Sequence, residues 1–181
     1  KNPQLVPADM SLYILRALNP DSAVLGAKEG KRLNANGVDL NRNFPVNWKR
    51  SWRSTGCSSL PDTAGEQPAS EPETQALMAF LQQRPIELLV SYHSAFLGVA
   101  PSGDPPHAAS VRLAQGIAGI TRYPYPPLYT GCEYTGTLVD FAASTGVFAA
   151  VDLELNSVYG TELKTNLKVL DLLLTWQLPA R

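Results

Sequence analysis

The sequence predicts an α/β protein built on a mixed, mostly parallel twisted sheet with helices on both faces. Three observations carry this. Residues Val147 to Leu155 form a nearly continuous apolar stretch, interrupted only by Asp152 and Glu154, as expected of a strand covered on both faces. Strand-length apolar segments alternate with segments of helical period, the pattern of parallel α/β folds. The chain's 181 residues are 44% hydrophobic and 17% charged, enough apolar surface for a sizeable core and too little charge for disorder.

Taken in order, Leu12 to Leu18 reads as a buried strand stopped by the turn former Asn19-Pro20-Asp21. Asn34 to Pro45 is dense in turn residues and side-chain hydrogen bonders. Val46 to Pro68 shows no period and reads as a long ordered loop, a kind of segment that is usually functional in a compact domain. Ser70-Glu71-Pro72-Glu73 has the form of a capping box, opening a helix from about Glu71 to Gln83 with Ala76, Leu77, Phe80 and Leu81 on its apolar face. Pro85 ends that helix, and Ile86 to Tyr92 gives a strand that delivers His93 at its C-terminal end. Helices fit Ala108 to Ile117 and Leu138 to Ala143, and a last helix, Glu162 to Trp176, carries Leu163, Leu167, Leu170 and Leu174 on one stripe. No internal repeat or linker divides the chain, so residues 1–181 read as a single domain.

Charge and composition exclude several functions. Fifteen Lys and Arg against sixteen Asp and Glu leave a net charge of −1, with no basic excess for nucleic acid or an anionic membrane surface. The longest apolar runs fall far short of the ~20 residues that span a bilayer. Two cysteines cannot build a Cys-based zinc site, and two histidines limit a His-based one, since catalytic zinc takes three protein ligands.

Glu154, set among Val151, Leu153 and Leu155, is costly to bury unless paired or protonated, and desolvation moves its pKa toward the range of a general base. A structural carboxylate is the competing explanation. His93, at the end of a strand, sits where open α/β sheets place ligands, whereas His107 has a surface context. Asp39, Asn41 and Arg42 share one tight loop in which Arg42 offers a planar fork for a carboxylate and Asn41 adds an amide; Arg32 precedes them.

Taken together, Asn19-Pro20-Asp21, Arg32, Asn34-Ala35-Asn36-Gly37-Val38-Asp39-Leu40-Asn41-Arg42-Asn43-Phe44-Pro45, Ser70-Glu71-Pro72-Glu73-Thr74, Ser91-Tyr92-His93-Ser94, Gly136-Thr137-Leu138-Val139-Asp140 and Asp152-Leu153-Glu154-Leu155 resemble the zinc metallocarboxypeptidases of the carboxypeptidase A/B type. The wording is similar to that of compact bacterial members, including murein peptide amidases. The resemblance implies a zinc hydrolase acting on a peptide or cell-wall peptide. It makes His93 a zinc ligand, Glu154 the general base, Arg32 the oxyanion stabiliser, and Asn41 with Arg42 the grip on the substrate's terminal carboxylate. Asp39 matches the carboxylate behind a zinc-ligand histidine. Val139 matches the base of the specificity pocket and leans toward an apolar or aromatic side chain.

Two departures from the family pattern shape the expectation. No histidine precedes residue 93, so the family's His-x-x-Glu zinc motif is absent from this chain. The expectation is therefore the C-terminal part of a catalytic domain lacking its first βαβ portion, with one zinc ion whose remaining ligands lie upstream of Lys1 and with that missing segment as a partner. By itself such a chain would be inactive. An inactive carboxylate-binding relative is the alternative, and so is an aspartoacylase-like N-acyl amino acid hydrolase, whose loops share the Asp-Leu-Asn-Arg phrase. The second departure puts Cys132 where the family's substrate-covering tyrosine falls, with Tyr129 and Tyr134 nearby and Tyr134 favoured. In the family the loops holding Cys57 and Cys132 meet at the cleft rim, which implies a disulfide and a secreted or periplasmic enzyme; two free thiols are the competing state.

Overall fold

A computed structural model describes residues 3–25, 32–51, 63–95 and 97–178. Its sheet has three strands, β1 (Leu88–Ser94), β2 (Val99–Pro101) and β3 (Ala149–Leu155), in the order β1-β3-β2. The seven registered pairs of β1 with β3 are parallel, and the three of β2 with β3 are antiparallel. Among the described residues five α-helices accompany them: α1 (Pro20–Leu25), α2 (Pro72–Gln83), α3 (Ala108–Thr121), α4 (Leu138–Ser144) and α5 (Leu163–Leu174). None of the described helices is long and apolar enough to cross a membrane.

Period-two alternation along β3 divides the core. Ala149, Val151 and Leu153 join Leu113, Ile117 and Val169 in one buried cluster beneath α3 and α5. Ala150 points the other way, into a second cluster with Leu81 of α2 and Leu138, Val139, Phe141 and Ala142 of α4. Leu88 and Val90 of β1 pack on the first cluster and Leu89 on the second. Helices thus lie on both faces.

Several elements differ from the sequence reading. Leu12 to Leu18 is irregular rather than a strand, and Leu12, Tyr13, Ile14 and Leu15 are exposed. A strand exists only where a neighbour supplies its ladder, and no described strand pairs with this segment. Tyr13 instead sets its ring edge-on to Phe80 of α2. The capping box does not form. Asn43, from a distant loop, accepts from the Glu71 backbone N–H and donates to Ser70 Oγ, while Ser70 Oγ donates to Glu71 Oε1. The helix consequently begins at Pro72 with no side-chain cap of its own. Helix α5 turns Val169, Leu172 and Leu173 toward the core, with Trp176 just beyond its end joining them, and leaves Leu163 and Leu167 exposed, because it carries more leucines than one face can bury. Strand β2 has only three residues, too short for a period to reveal it.

Candidate active site

The loop that follows Arg32 is built by its own side chains. Asn34 Oδ1 accepts from the backbone N–H groups of Asn36 and Val38, closing a turn, and Asn34 and Asn36 both donate to Glu71 Oε2 at the start of α2. Asp39 then caps a 3₁₀ turn over Leu40–Arg42, accepting from Asn41 N through Oδ1 and from Arg32 Nε through Oδ2 at 2.5 Å. Asn43 closes the loop by donating to Ala64 O and Gln67 O. Arg42 is buried, donates from Nη1 to Asn41 O, and lies 4.9 Å from the centre of the Tyr134 ring, a cation–π distance.

A second segment meets this loop at Gly136. Its φ of +64° suits glycine, and a Cβ there would collide with the Arg42 carbonyl, so the two segments approach as closely as backbones can. Phe44 N–H donates to Gly136 O and Gly136 N–H to Val46 O. Thr137 then caps α4 by accepting from Asp140 N, and Asp140 Oδ1 accepts from Gly103 N–H. Asn41 Oδ1 accepts from Leu138 N–H at 2.8 Å, which fixes the orientation of the Asn41 amide.

The sheet supplies the remaining groups. Alternation puts Ser91 and His93 of β1 on the same face as Leu89, and Asp152 and Glu154 of β3 on the same face as Ala150. His93 is registered directly against Glu154 near the C-terminal ends of the two strands. His93 Nε2 lies 3.1 Å from Asp152 Oδ1, 2.9 Å from Ser91 Oγ and 3.4 Å from Asn41 Nδ2.

These parts enclose one cavity of about 640 Å³, lined by Arg32, Asn41, Arg42, His93 and Glu154 and extending to Tyr134 and Val139. Asp39 stays outside, buried behind Arg32. Glu154 Oε2 is buried with no hydrogen-bond partner among the described residues. Burial, reinforced by the charge of Asp152, pushes the Glu154 carboxyl above its ordinary pKa, although His93, Arg32 and Arg42 pull the other way. Burial opposes the charged form of His93, but its hydrogen bond to Asp152 and the charges of Asp152 and Glu154 outweigh it, so the imidazole titrates above its usual value. Burial lowers the pKa of Arg42 despite the opposing charge of Asp39.

Every sequence-predicted site residue except Asp39 therefore reaches the same cavity. Tyr134 packs on Arg42 and hydrogen-bonds through its hydroxyl to Thr130, while Tyr129, at 92% exposure, stands at the rim. Asp39 contacts Arg32 and Asn41 and makes no hydrogen bond to His93. The carboxylate on His93 is Asp152, which the sequence shows only as a charge interrupting an apolar strand; its two-residue spacing from Glu154 is the signal that both face the cleft. Cys132 is disulfide-bonded, and Cys57 lies outside the described residues.

Tested against a metal, the donor set is incomplete. No group of three or more His, Cys, Asp or Glu side chains among the described residues could hold an ion. A catalytic zinc needs three protein ligands, so these residues do not hold one by themselves.

The family model for zinc carboxypeptidases matches residues 4–157. Murein peptide amidase A of Escherichia coli K12 is 37% identical over 111 residues, covering 58% of this chain and 43% of that protein. Mast cell carboxypeptidase A of Rattus norvegicus is 27% identical over 163 residues, covering 76% of this chain and 39% of the relative. The crystal structure of a murein-tripeptide amidase from Escherichia coli O157 superposes with a TM-score of 0.63 at 28% identity, over 91% of this chain and 68% of that one. The chain spans less than half the length of these curated relatives.

Proposed function

The chain belongs to the zinc carboxypeptidase family, and from that premise we propose that it serves the zinc-dependent hydrolysis of an amide bond beside a free terminal carboxylate. The observation that carries this reading is the shared cavity. Glu154, half-buried with its Oε2 buried and without a hydrogen-bond partner among the described residues, faces the same space as three cation or amide donors, Arg32, Asn41 and Arg42.

The roles follow from chemistry and placement. Arg42 and Asn41, pinned by Asp39 and by the α4 N-terminus, bind the substrate carboxylate, and a rigid fork loses little entropy on doing so. Glu154, its pKa raised by burial, takes a proton from the attacking water and passes it to the leaving amine. Arg32, held by Asp39, meets the negative charge that develops on the carbonyl oxygen. Tyr134 covers the carboxylate-binding arginine, and Val139 supplies an apolar wall for the terminal side chain. His93 would contribute one zinc ligand, fewer than the three protein ligands a catalytic zinc takes. Bound zinc supplies Lewis-acid chemistry. The names of the bacterial relatives favour an amide bond in a cell-wall peptide as substrate. The disulfide at Cys132 supports export to an oxidising compartment.

The test compares Glu154→Gln with the unaltered protein in the zinc-loaded enzyme as the cell makes it, using a cell-wall peptide and a blocked dipeptide. A fall in kcat of about 10²–10⁴-fold with zinc retained is expected for loss of a general base. Full turnover in the variant would overturn the reading.

A further inference from the structure

The same histidine carries three contacts on one nitrogen, and that arrangement has chemical content. We propose that Asp152 is a positioning residue that holds the proton of His93 on Nε2, leaving Nδ1 as the nitrogen offered to whatever occupies the cavity. The proposal deepens the reading of His93 given above and rests on it only for the identity of that occupant.

A carboxylate at neutral pH can only accept, so the 3.1 Å contact between Asp152 Oδ1 and His93 Nε2 is attractive only if Nε2 bears hydrogen. Ser91 Oγ, 2.9 Å from the same nitrogen, can rotate its hydroxyl to accept as well. Asn41 Nδ2 argues the other way. Its amide is oriented by the Leu138 N–H, so it presents a donor to Nε2, but at 3.4 Å and without charge. A charge-assisted hydrogen bond is about twice as strong as a neutral one, so Asp152 decides the tautomer. Every hydrogen bond of the ring among the described residues falls on Nε2, and none on Nδ1.

The geometry also excludes the other chemistry that a serine, a histidine and an aspartate suggest. A nucleophilic triad needs serine on one ring nitrogen and the carboxylate on the other. Here both meet Nε2, so Ser91 supports the imidazole and is not activated by it. Strand spacing produces the arrangement: Ser91 and Asp152 are registered partners across the parallel ladder, two positions before the His93–Glu154 pair and therefore on the same face.

Nitrogen-15 NMR of the metal-free chain at a pH well above the ordinary imidazole pKa reads the tautomer directly. The sequence has two histidines, and His107→Gln leaves one ring to observe. The proton is expected on Nε2 in the parent and is expected to shift toward Nδ1 in Asp152→Val, where the Asn41 donor and the Ser91 hydroxyl, free to turn its proton toward the ring, are left beside Nε2; Asp152→Glu should restore the parent pattern. A parent spectrum showing the proton on Nδ1 overturns the proposal even if the valine variant fails to fold, and so does an unchanged tautomer in a folded Asp152→Val. Because the tautomer is read without metal, its outcome is independent of the ligand role assigned to His93 above.

Discussion

The two faces of β3 are made from the same seven residues and serve opposite ends. On one face, Ala149, Val151 and Leu153 are fully buried under α3 and α5. On the other, Ala150 is buried against α4, but the next two positions, Asp152 and Glu154, open onto the cavity. Val139 of α4 belongs both to the second cluster and to the cavity wall, so it marks where core gives way to cleft. A strand can thus spend one side on stability and place ionisable groups on the other within two residues of a fully buried position. The rigid side is what makes the reactive side possible, because it fixes where the carboxylates stand.

That contrast can be broken from either face. Leu153→Ala, on the packed face, should cost about 2–5 kcal/mol of stability in urea unfolding with an unchanged m-value. A loss well below that would mean α3 and α5 do not clamp the strand. Thr137→Ala removes the side-chain cap of α4 and should cost about 1 kcal/mol; its additional effect is a looser Asn41, readable as weaker carboxylate binding out of proportion to the lost stability.

On the cleft face, the smallest effect has the opposite sign. Burial raises the folded-state pKa of Glu154 above its unfolded value, so between the two the folded protein holds more protons than the unfolded chain. Stability therefore falls as pH rises through that interval, and the cost persists at neutral pH. Glu154→Gln should stabilise the fold at neutral pH, by on the order of 1 kcal/mol or less, with the gain vanishing below the ordinary carboxylate range. Destabilisation at neutral pH would show that Glu154 is a structural carboxylate.

Much of this contrast is visible in the sequence, and what is hidden has identifiable causes. The apolar stretch ending in Leu155 marks β3, and an alternating carboxylate in it marks the cleft face. Local patterning cannot show that Asn43 displaces Ser70 as the partner at the start of α2, since the two lie 27 residues apart. Nor can it show that Leu12 to Leu18 has no ladder partner among the described residues, because strand formation depends on a neighbour as much as on composition. Asp152 was legible as a charge but not as the partner of His93, a relation that exists only once β1 and β3 are in register.

The central claim is that Asn41 and Arg42 read a free carboxylate within the cavity that Glu154 faces. It is tested most directly by titrating the isotope-labelled chain with a blocked dipeptide and with the same dipeptide amidated at its C-terminus. The free acid should shift the amide signals of Asn41, Arg42, Val139 and the cleft-facing residues of β1 and β3. It should also bind more tightly than the amide by roughly 10–100-fold, the worth of one charged hydrogen-bonded contact. Equal affinity for both peptides, or shifts confined to surfaces away from the cavity, would contradict the account.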